Sequence, residues 1–304
     1  MQTQSRSHLK VFQSLFQRNT IRQPISGFNY EQLIAYREEG LVRLQIKSVG
    51  KRFDSRRGKT LALQDITFDV ASGQFVCLLG PSGCGKSTLL NIIAGLESPD
   101  IGEVLLDKRA ITTPGRDRVV MFQESALFPW LNVRDNVAFG LATAGMPRSE
   151  QYDRADHFLR LVHLGSFEKA YVHELSGGMK QRVALARALA LDPDVLLMDE
   201  PFAALDAQTR DLLHAELQEI WAETAKTVIF ITHNVREALV LGDRVIVMTA
   251  RPGRIKRDFR SNLPRPRYIE DHALVDAARD VLSDLREEVL AAAEEETKRE
   301  KLAA

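Results

Sequence analysis

No apolar run in this 304-residue chain is long enough to cross a membrane. The longest, VCLLG at 76–80, VLLM at 195–198 and VIVMTA at 245–250, are strand-length and far short of the roughly 20 residues a spanning helix needs. The chain is therefore not expected to span a bilayer by itself. Cysteine is nearly missing: Cys77 falls on a strand-like run and Cys84 in a glycine-rich loop. A disulfide would strain both places, which reads as two reduced thiols in a reducing cytoplasm. There is no excess of charge of either sign, since 41 basic residues balance 41 acidic ones. Nothing in that total attracts nucleic acid, which is not expected as a partner. Acids are absent before Glu31, where Arg6, Lys10, Arg18 and Arg22 stand. That stretch also lacks the apolar core of a secretory signal, so export is not expected. Leu9, Phe12, Leu15 and Phe16 recur there at helical spacing, the pattern either of a loosely ordered extension or of a segment that docks on a membrane surface or a partner.

What is present is the balance of a globular protein, 44% apolar and 27% charged residues, enough to bury a sizeable core. From residue 41, LVRLQIKSVGKRF alternates apolar and polar residues, and LALQDITFDV and FVCLLG follow as strands. FVCLLG runs into GPSGCGKST at 80–88 and then into STLLNIIAGL, the strand, loop and helix order of a phosphate loop. Further strands are EVLLD, VVMFQ at 119–123 (ending on Gln123), VLLMD at 195–199, TVIFIT at 227–232 and RVIVMT at 244–249. Helical patterns fill Val133 to about Ala190, and DAQTRDLLHAELQEIWAET separates two late strands. This alternation predicts an α/β fold with a mostly parallel core sheet. ARPGRI at 250–255 and LPRPR at 263–267 read as proline-bearing breaks where the chain leaves the core. Beyond Tyr268, Leu274, Ala278, Val281, Leu285 and Val289 recur at helical steps among eleven acids and five bases. That is an acidic amphipathic helix, either packed on the same domain or kept for a partner.

The chemistry lies in three places. In the phosphate loop the glycines turn backbone N–H groups toward an anion, and the next helix adds the positive end of its dipole. Lys86 supplies a charge for the β and γ phosphates, and Ser87 a hydroxyl for a magnesium ion. VLLMDE ends a central strand on Asp199 and Glu200, at the sheet edge where α/β folds keep their ligand chemistry. Asp199 suits magnesium, directly or through water, and Glu200 suits polarising the attacking water. LSGGMKQRVALARAL sets Ser176 and two flexible glycines, Gly177 and Gly178, just ahead of an amphipathic helix, a second anion-facing surface in the same chain. A self-contained kinase does not need it.

These motifs together resemble the ATP-binding cassette (ABC) ATPases over residues 41 to about 267. The resemblance implies a P-loop cassette with an antiparallel β subdomain and a helical subdomain inserted at about 124–190, flanked by an extension at 1–40 and the helix at 268–304. It implies two cassettes paired head to tail, a homodimer or two related chains, each ATP lying between one phosphate loop and the other chain's LSGGM. Gly80, Pro81, Ser82, Gly83, Cys84, Gly85, Lys86, Ser87 and Thr88 would then cradle the phosphates. Gln123 would touch magnesium or water and relay the state of the site to a membrane partner. His233 would reach the γ phosphate, although the family more often has Asp where this chain has Asn234. Phe53 would stack on adenine, where Tyr is commoner and a strand-end core role is the plain alternative. Asp206, closing the ALD at 204–206, joins the nucleotide-facing set.

Only 95 residues lie between Gly80 and Ser176, too few for the coiled coils of repair ATPases, and a single cassette without membrane helices departs from translation factors and from fused exporters. FQESALFPWLNVRDNVAFGL, LDAQTRDLLHAELQEIWAET and ARPGRI are similar to the ATPase subunits of nitrate, sulfonate, taurine or bicarbonate importers. That implies a peripheral subunit on the cytoplasmic side of the cell membrane, working with permease subunits and, indirectly, a solute-binding protein. A non-import switch, division-associated or lipoprotein-handling, is the alternative. The cluster Phe128, Pro129, Trp130 would receive the permease, unless Trp130 packs within its own domain.

Overall fold

The computed structural model describes residues 42–55 and 58–303; the basic extension lies outside them. Long apolar runs form strands buried on both faces, as expected of parallel sheets covered on two sides. They are β3 (Phe75–Leu79), β7 (Val195–Asp199), β8 (Thr227–Thr232) and β9 (Arg244–Met248). With β6 (Arg118–Met121) and β10 (Ile255–Arg260) they make a six-stranded sheet ordered β10-β9-β3-β8-β7-β6, in which only β10 runs antiparallel.

The alternating runs instead form a second, antiparallel sheet. Its strands β1 (Val42–Ser55), β2 (Gly58–Ala71), β4 (Ile101–Leu106) and β5 (Arg109–Ala110) are ordered β2-β1-β4-β5. The period-two pattern of β2 buries Ile66, Phe68 and Val70, because one face packs inward while the other meets solvent.

Seven α-helices and two short 3-10 turns complete the described residues, the α-helices being α1 (Lys86–Ala94), α2 (Val133–Thr143), α3 (Arg148–Leu161), α4 (Gly177–Ala190), α5 (Ala207–Thr224), α6 (Val235–Leu241) and α7 (His272–Ala303). The six-stranded sheet is the wall between two cores. Phe75, Cys77 and Leu79 of β3 face a core shared with α2 to α7. Val76 and Leu78, one residue out of phase, face a core shared with α1 and the antiparallel sheet. Both cysteines are buried and unbridged.

Three expectations need correction. The run VVMFQ does not stay in the sheet to Gln123: β6 ends at Met121, and Phe122 is exposed because neither residue has a ladder partner beyond Met121–Met198. Residues 250–267 do not leave the domain either, although most of them are half-buried or exposed. β10 returns to pair with β9, and Arg267 is buried, donating to the carbonyls of Leu239 at 2.8 Å and Gly242 at 2.6 Å. Those carbonyls belong to the end of α6, where helical partners run out, while Nε and Nη2 of the same guanidinium donate to the Leu263 carbonyl. Along α7, Leu274, Ala278, Val281 and Leu285 are buried but Val289 is exposed, since the helix runs past the core it packs on.

Candidate functional site

The order β3-β8-β7-β6 aligns four strand ends on one sheet edge. Leu79 pairs with Thr232, Ile231 with Asp199, and Met198 with Met121. Adjacent strands lie about 4.8 Å apart, so Gly80, His233, Asp199 with Glu200, and the segment leading to Gln123 succeed one another along this edge.

Between β3 and α1 the loop curls tightly. Gly83 and Gly85 have φ of +73° and +104°, and a Cβ on Gly85 would sit 2.7 Å from Leu63. Both positions therefore require glycine. Gly80, Pro81 and Cys84 line the inside of the turn while Ser82, Gly83 and Ser87 reach the surface, with Thr88 half-buried in the first turn of α1. That first turn holds no acidic residue, as suits an anion at the start of a helix. Lys86 is buried, and its ammonium donates to the carbonyls of Gly80 at 2.8 Å and Pro81 at 3.0 Å. Burial raises the Cys84 thiol above its ordinary value, opposed by the Lys86 charge.

Burial pushes the Asp199 carboxyl above the usual carboxylate range, opposed by the nearby Ser87 hydroxyl and helped by the neighbouring Glu200 charge. A hard hydroxyl and a carboxylate short of countercharge fit a magnesium ion. No group of three or more metal-ligating His, Cys, Asp or Glu side chains gathers among the described residues. Glu200 has a left-handed φ of 45°, a strained conformation of the kind that collects at functional sites. Its Oε2 lies 2.9 Å from His233 Nδ1.

His233 sits in a braced turn. Asn234 caps α6, its side-chain oxygen accepting from the N–H groups of Arg236 at 2.9 Å and Glu237 at 3.3 Å, the service Asp would give. Glu237 in turn is buried against His214 at 2.7 Å and accepts from the Thr232 hydroxyl. Sequence reasoning missed this buried network because its members come from β8, α5 and α6. Asp206 caps α5 and spends both oxygens on Thr209, which lowers its pKa. Phe53 is 40% exposed, with the Lys51 ammonium 5.3 Å from its ring centre; it lies outside the core.

Ser176 caps α4 by accepting from the Met179 N–H at 3.3 Å. Gly177 and Gly178 are not a flexible lead-in: they are the first two residues of the helix. A Cβ on Gly178 would come within 2.7 Å of Thr209 Cγ2, and one on Gly177 within 3.2 Å of Leu205. Their smallness lets the start of α4 abut the start of α5. These neighbours differ from those of the phosphate loop, Leu63, Met248 and Arg251. Amide-rich helix starts thus stand at two separate places.

Past β6, the Gln123 carbonyl accepts from Gln181 at 2.9 Å, and Arg187 donates to the carbonyls of Ser125 and Ala126, both at 2.8 Å. Both donors belong to α4. Phe128 lies 4.3 Å from Phe139 and 5.5 Å from Trp130, ring centre to ring centre, and Trp130 is 71% exposed, outside the helical core. The turn is held by Asn136, fully buried, whose amide accepts from the Phe128 N–H at 2.8 Å and reaches the carbonyls of Phe128, Leu131 and Asn132 at 3.0–3.1 Å.

With this edge in place, the sequence pattern of the ABC transporter family matches residues 63–203. An uncharacterised ABC transporter ATP-binding protein of Methanocaldococcus jannaschii is 48% identical over 254 residues, 84% of this chain and 95% of that protein. This chain belongs to the ABC transporter ATP-binding proteins. Taurine import ATP-binding protein TauB of Roseobacter denitrificans is 51% identical over 71% of this chain and 81% of its own length. Nitrate import ATP-binding protein NrtD of Synechocystis is 48% identical over 73% and 84%. Among solved structures, an ATP-binding cassette seen as a dimer in a post-hydrolysis state with ADP and Pi is 33% identical, with a TM-score of 0.63 over 71% of this chain and 98% of that one. The family's activity, ATP hydrolysis coupled to transport, is this chain's activity, and the mixed α/β cassette is its fold. No helix among the described residues is long and apolar enough to cross a membrane.

Proposed function

We propose that this chain is the ATP-hydrolysing subunit of an importer for a small anion of the taurine, sulfonate, nitrate or bicarbonate type, peripheral to the cytoplasmic face of the membrane. The observation that carries the reading is the pair of separate amide-rich helix starts, at α1 and α4, in one chain. Two surfaces built for phosphate make sense when chains pair head to tail, and the relatives named for taurine and nitrate import supply the solute class.

In this reading the loop from Gly80 to Thr88 cradles the phosphates and Phe53 stacks on adenine. Ser87, Asp199 and Gln123 would hold magnesium, which would supply positive charge against that developing on the phosphates. Lys86 exchanges its loop carbonyls for phosphate oxygens. Glu200, held on one oxygen by His233, orients water and takes its proton, giving ADP and phosphate. The far nitrogen of His233 faces the γ phosphate, as a hydrogen-bond donor to developing charge. Ser176, Gly177 and Gly178 complete the partner chain's site, and Asp206 lies near that junction. The helical segment of 124–190 carries the surface for the permease, centred on Phe128 and Trp130, and a solute-binding protein delivers the anion from outside.

The test is to purify the chain with its membrane partner and measure ATP-dependent uptake of labelled taurine, nitrate and bicarbonate into vesicles, with Phe128→Ala and Trp130→Ala alongside. Uptake of one of these anions, weakened in both variants while ATP binding survives, supports the proposal. A co-purifying protein of the division or lipoprotein-handling type, with no anion uptake, favours the non-import switch instead.

A further inference from the structure

Residues 249–254 form a closed strap: Thr249 N–H donates to the Arg254 carbonyl and Arg254 N–H to the Thr249 hydroxyl, each at 2.9 Å. One side of the strap lies on the phosphate loop. Arg251 donates from Nε at 3.2 Å and Nη2 at 3.0 Å to the carbonyl of Gly83. The other side is held by α7. Glu288 accepts the Ala250 N–H at 2.7 Å and pairs with Lys256 at 2.9 Å, and its side chain is only 15% exposed.

In a trans peptide the carbonyl of one residue and the N–H of the next point in opposite directions. A Gly83 carbonyl held outward by Arg251 therefore aims the Cys84 N–H into the cradle. Little else fixes that peptide. The Cys84 N–H has a long contact of 3.4 Å to the Pro81 carbonyl, and Gly83, with φ of +73°, has no side chain to resist a flip. A flipped peptide would present an oxygen, not a hydrogen, to the phosphates.

We propose that Arg251 is a positioning residue for the phosphate loop and that α7, through Glu288, keeps Arg251 in place, so that the C-terminal helix sets nucleotide affinity from outside the site. This rests on the ATP site proposed above.

The experiment compares Arg251→Ala, Arg251→Lys, Glu288→Ala, the double variant Arg251→Ala with Glu288→Ala, and Lys86→Ala in the full chain, by ADP calorimetry, ATPase kinetics and thermal unfolding without nucleotide. Loss of a charge-assisted double hydrogen bond that orients a phosphate donor should weaken ADP binding and raise KM by about tenfold in Arg251→Ala. Turnover at saturating ATP should stay within about twofold, because the effect falls on ground state and transition state alike. Arg251→Lys should restore part of the affinity. Glu288→Ala should move affinity the same way and add nothing to Arg251→Ala. Unchanged ADP affinity in Arg251→Ala, with Lys86→Ala strongly impaired, overturns the proposal while leaving the ATP site intact. Loss of turnover in step with a lowered unfolding temperature, and no recovery in Arg251→Lys, overturns it in favour of a purely structural role. An effect in Arg251→Ala without one in Glu288→Ala overturns the part given to α7. Binding unaffected even in Lys86→Ala overturns the underlying site.

Discussion

Substituting Gly178 by Ala separates two reasons for the glycine. The added Cβ would lie 2.7 Å from Thr209 Cγ2, about 1 Å inside an ordinary carbon contact. Overpacking of that size costs roughly 1–3 kcal/mol, and the gain from replacing glycine in a helix returns about 0.5–1 kcal/mol. The expected net result for Gly178→Ala is a loss of about 1 kcal/mol, read as a fall of roughly 2–4 °C in unfolding temperature. Thr209→Ser removes Cγ2 and keeps the hydroxyl that donates to Asp206 at 2.7 Å. The double variant should therefore recover the wild-type midpoint or exceed it, with a coupling of about 1–2 kcal/mol between the sites. Thermal unfolding of the four proteins at one concentration, without nucleotide, measures this. If Gly178→Ala is as stable as wild type, or Thr209→Ser gives no relief, the packing argument is wrong. ATPase activity then tests the second reason: the double variant should stay impaired though its stability returns, because a methyl group remains on the surface offered to the partner's phosphate. Full recovery of turnover would leave Gly178 a packing residue only.

Glu200→Gln should lower ATP turnover by about 10²–10⁴ while ATP binding persists, since the base is lost and the phosphate charges are not; wild-type turnover would remove Glu200 from its role. Mixing Lys86→Ala with Ser176→Arg chains should restore activity that neither has alone, because both lesions can fall in one site of a heterodimer and leave the other whole; no recovery despite verified heterodimers would count against completion in trans. Asp199→Asn should stabilise the nucleotide-free protein at neutral pH. The Asp199 pKa is raised by folding, so the contribution of this one group to stability is fully present below the unfolded value near 3.8 and is lost as pH rises through the raised one. Unfolding temperatures of the two proteins should converge near pH 3.5 and separate above it, and a constant gap would refute the assignment.

How much of this was legible in the sequence follows from which contacts are local. β3, β7, β8 and β9 were readable because strands buried on both faces have continuous apolar runs, and the phosphate loop because its glycines answer to its own turn. The end of β6 was not, since Phe122 continues an apolar run and only the length of the neighbouring ladder stops it. The glycines at 177 and 178 read as flexible because the side chains they accommodate, Leu205 and Thr209, lie on another helix start. Arg265 and Arg267 read as a solvated exit; a buried guanidinium looks no different in sequence until the carbonyls it serves are known. Asn234 raised a doubt that a cap resolves, as both Asn and Asp can accept from the first turn of α6. Arg251 carried no local signal, because its partner lies at Gly83 on the opposite side of the cassette's sequence.

Asn136 bears on what it costs to bind at the aromatic turn. Four backbone groups between Phe128 and Asn132 meet its buried amide, so the turn is already ordered when a partner arrives. Ordering a mobile backbone costs roughly 1–2 kcal/mol per residue, and here that loss falls on folding instead of on association. For the docking proposed above, a shape fixed in advance spares that loss on association, and Asn136, itself part of α2, ties the turn to that helix.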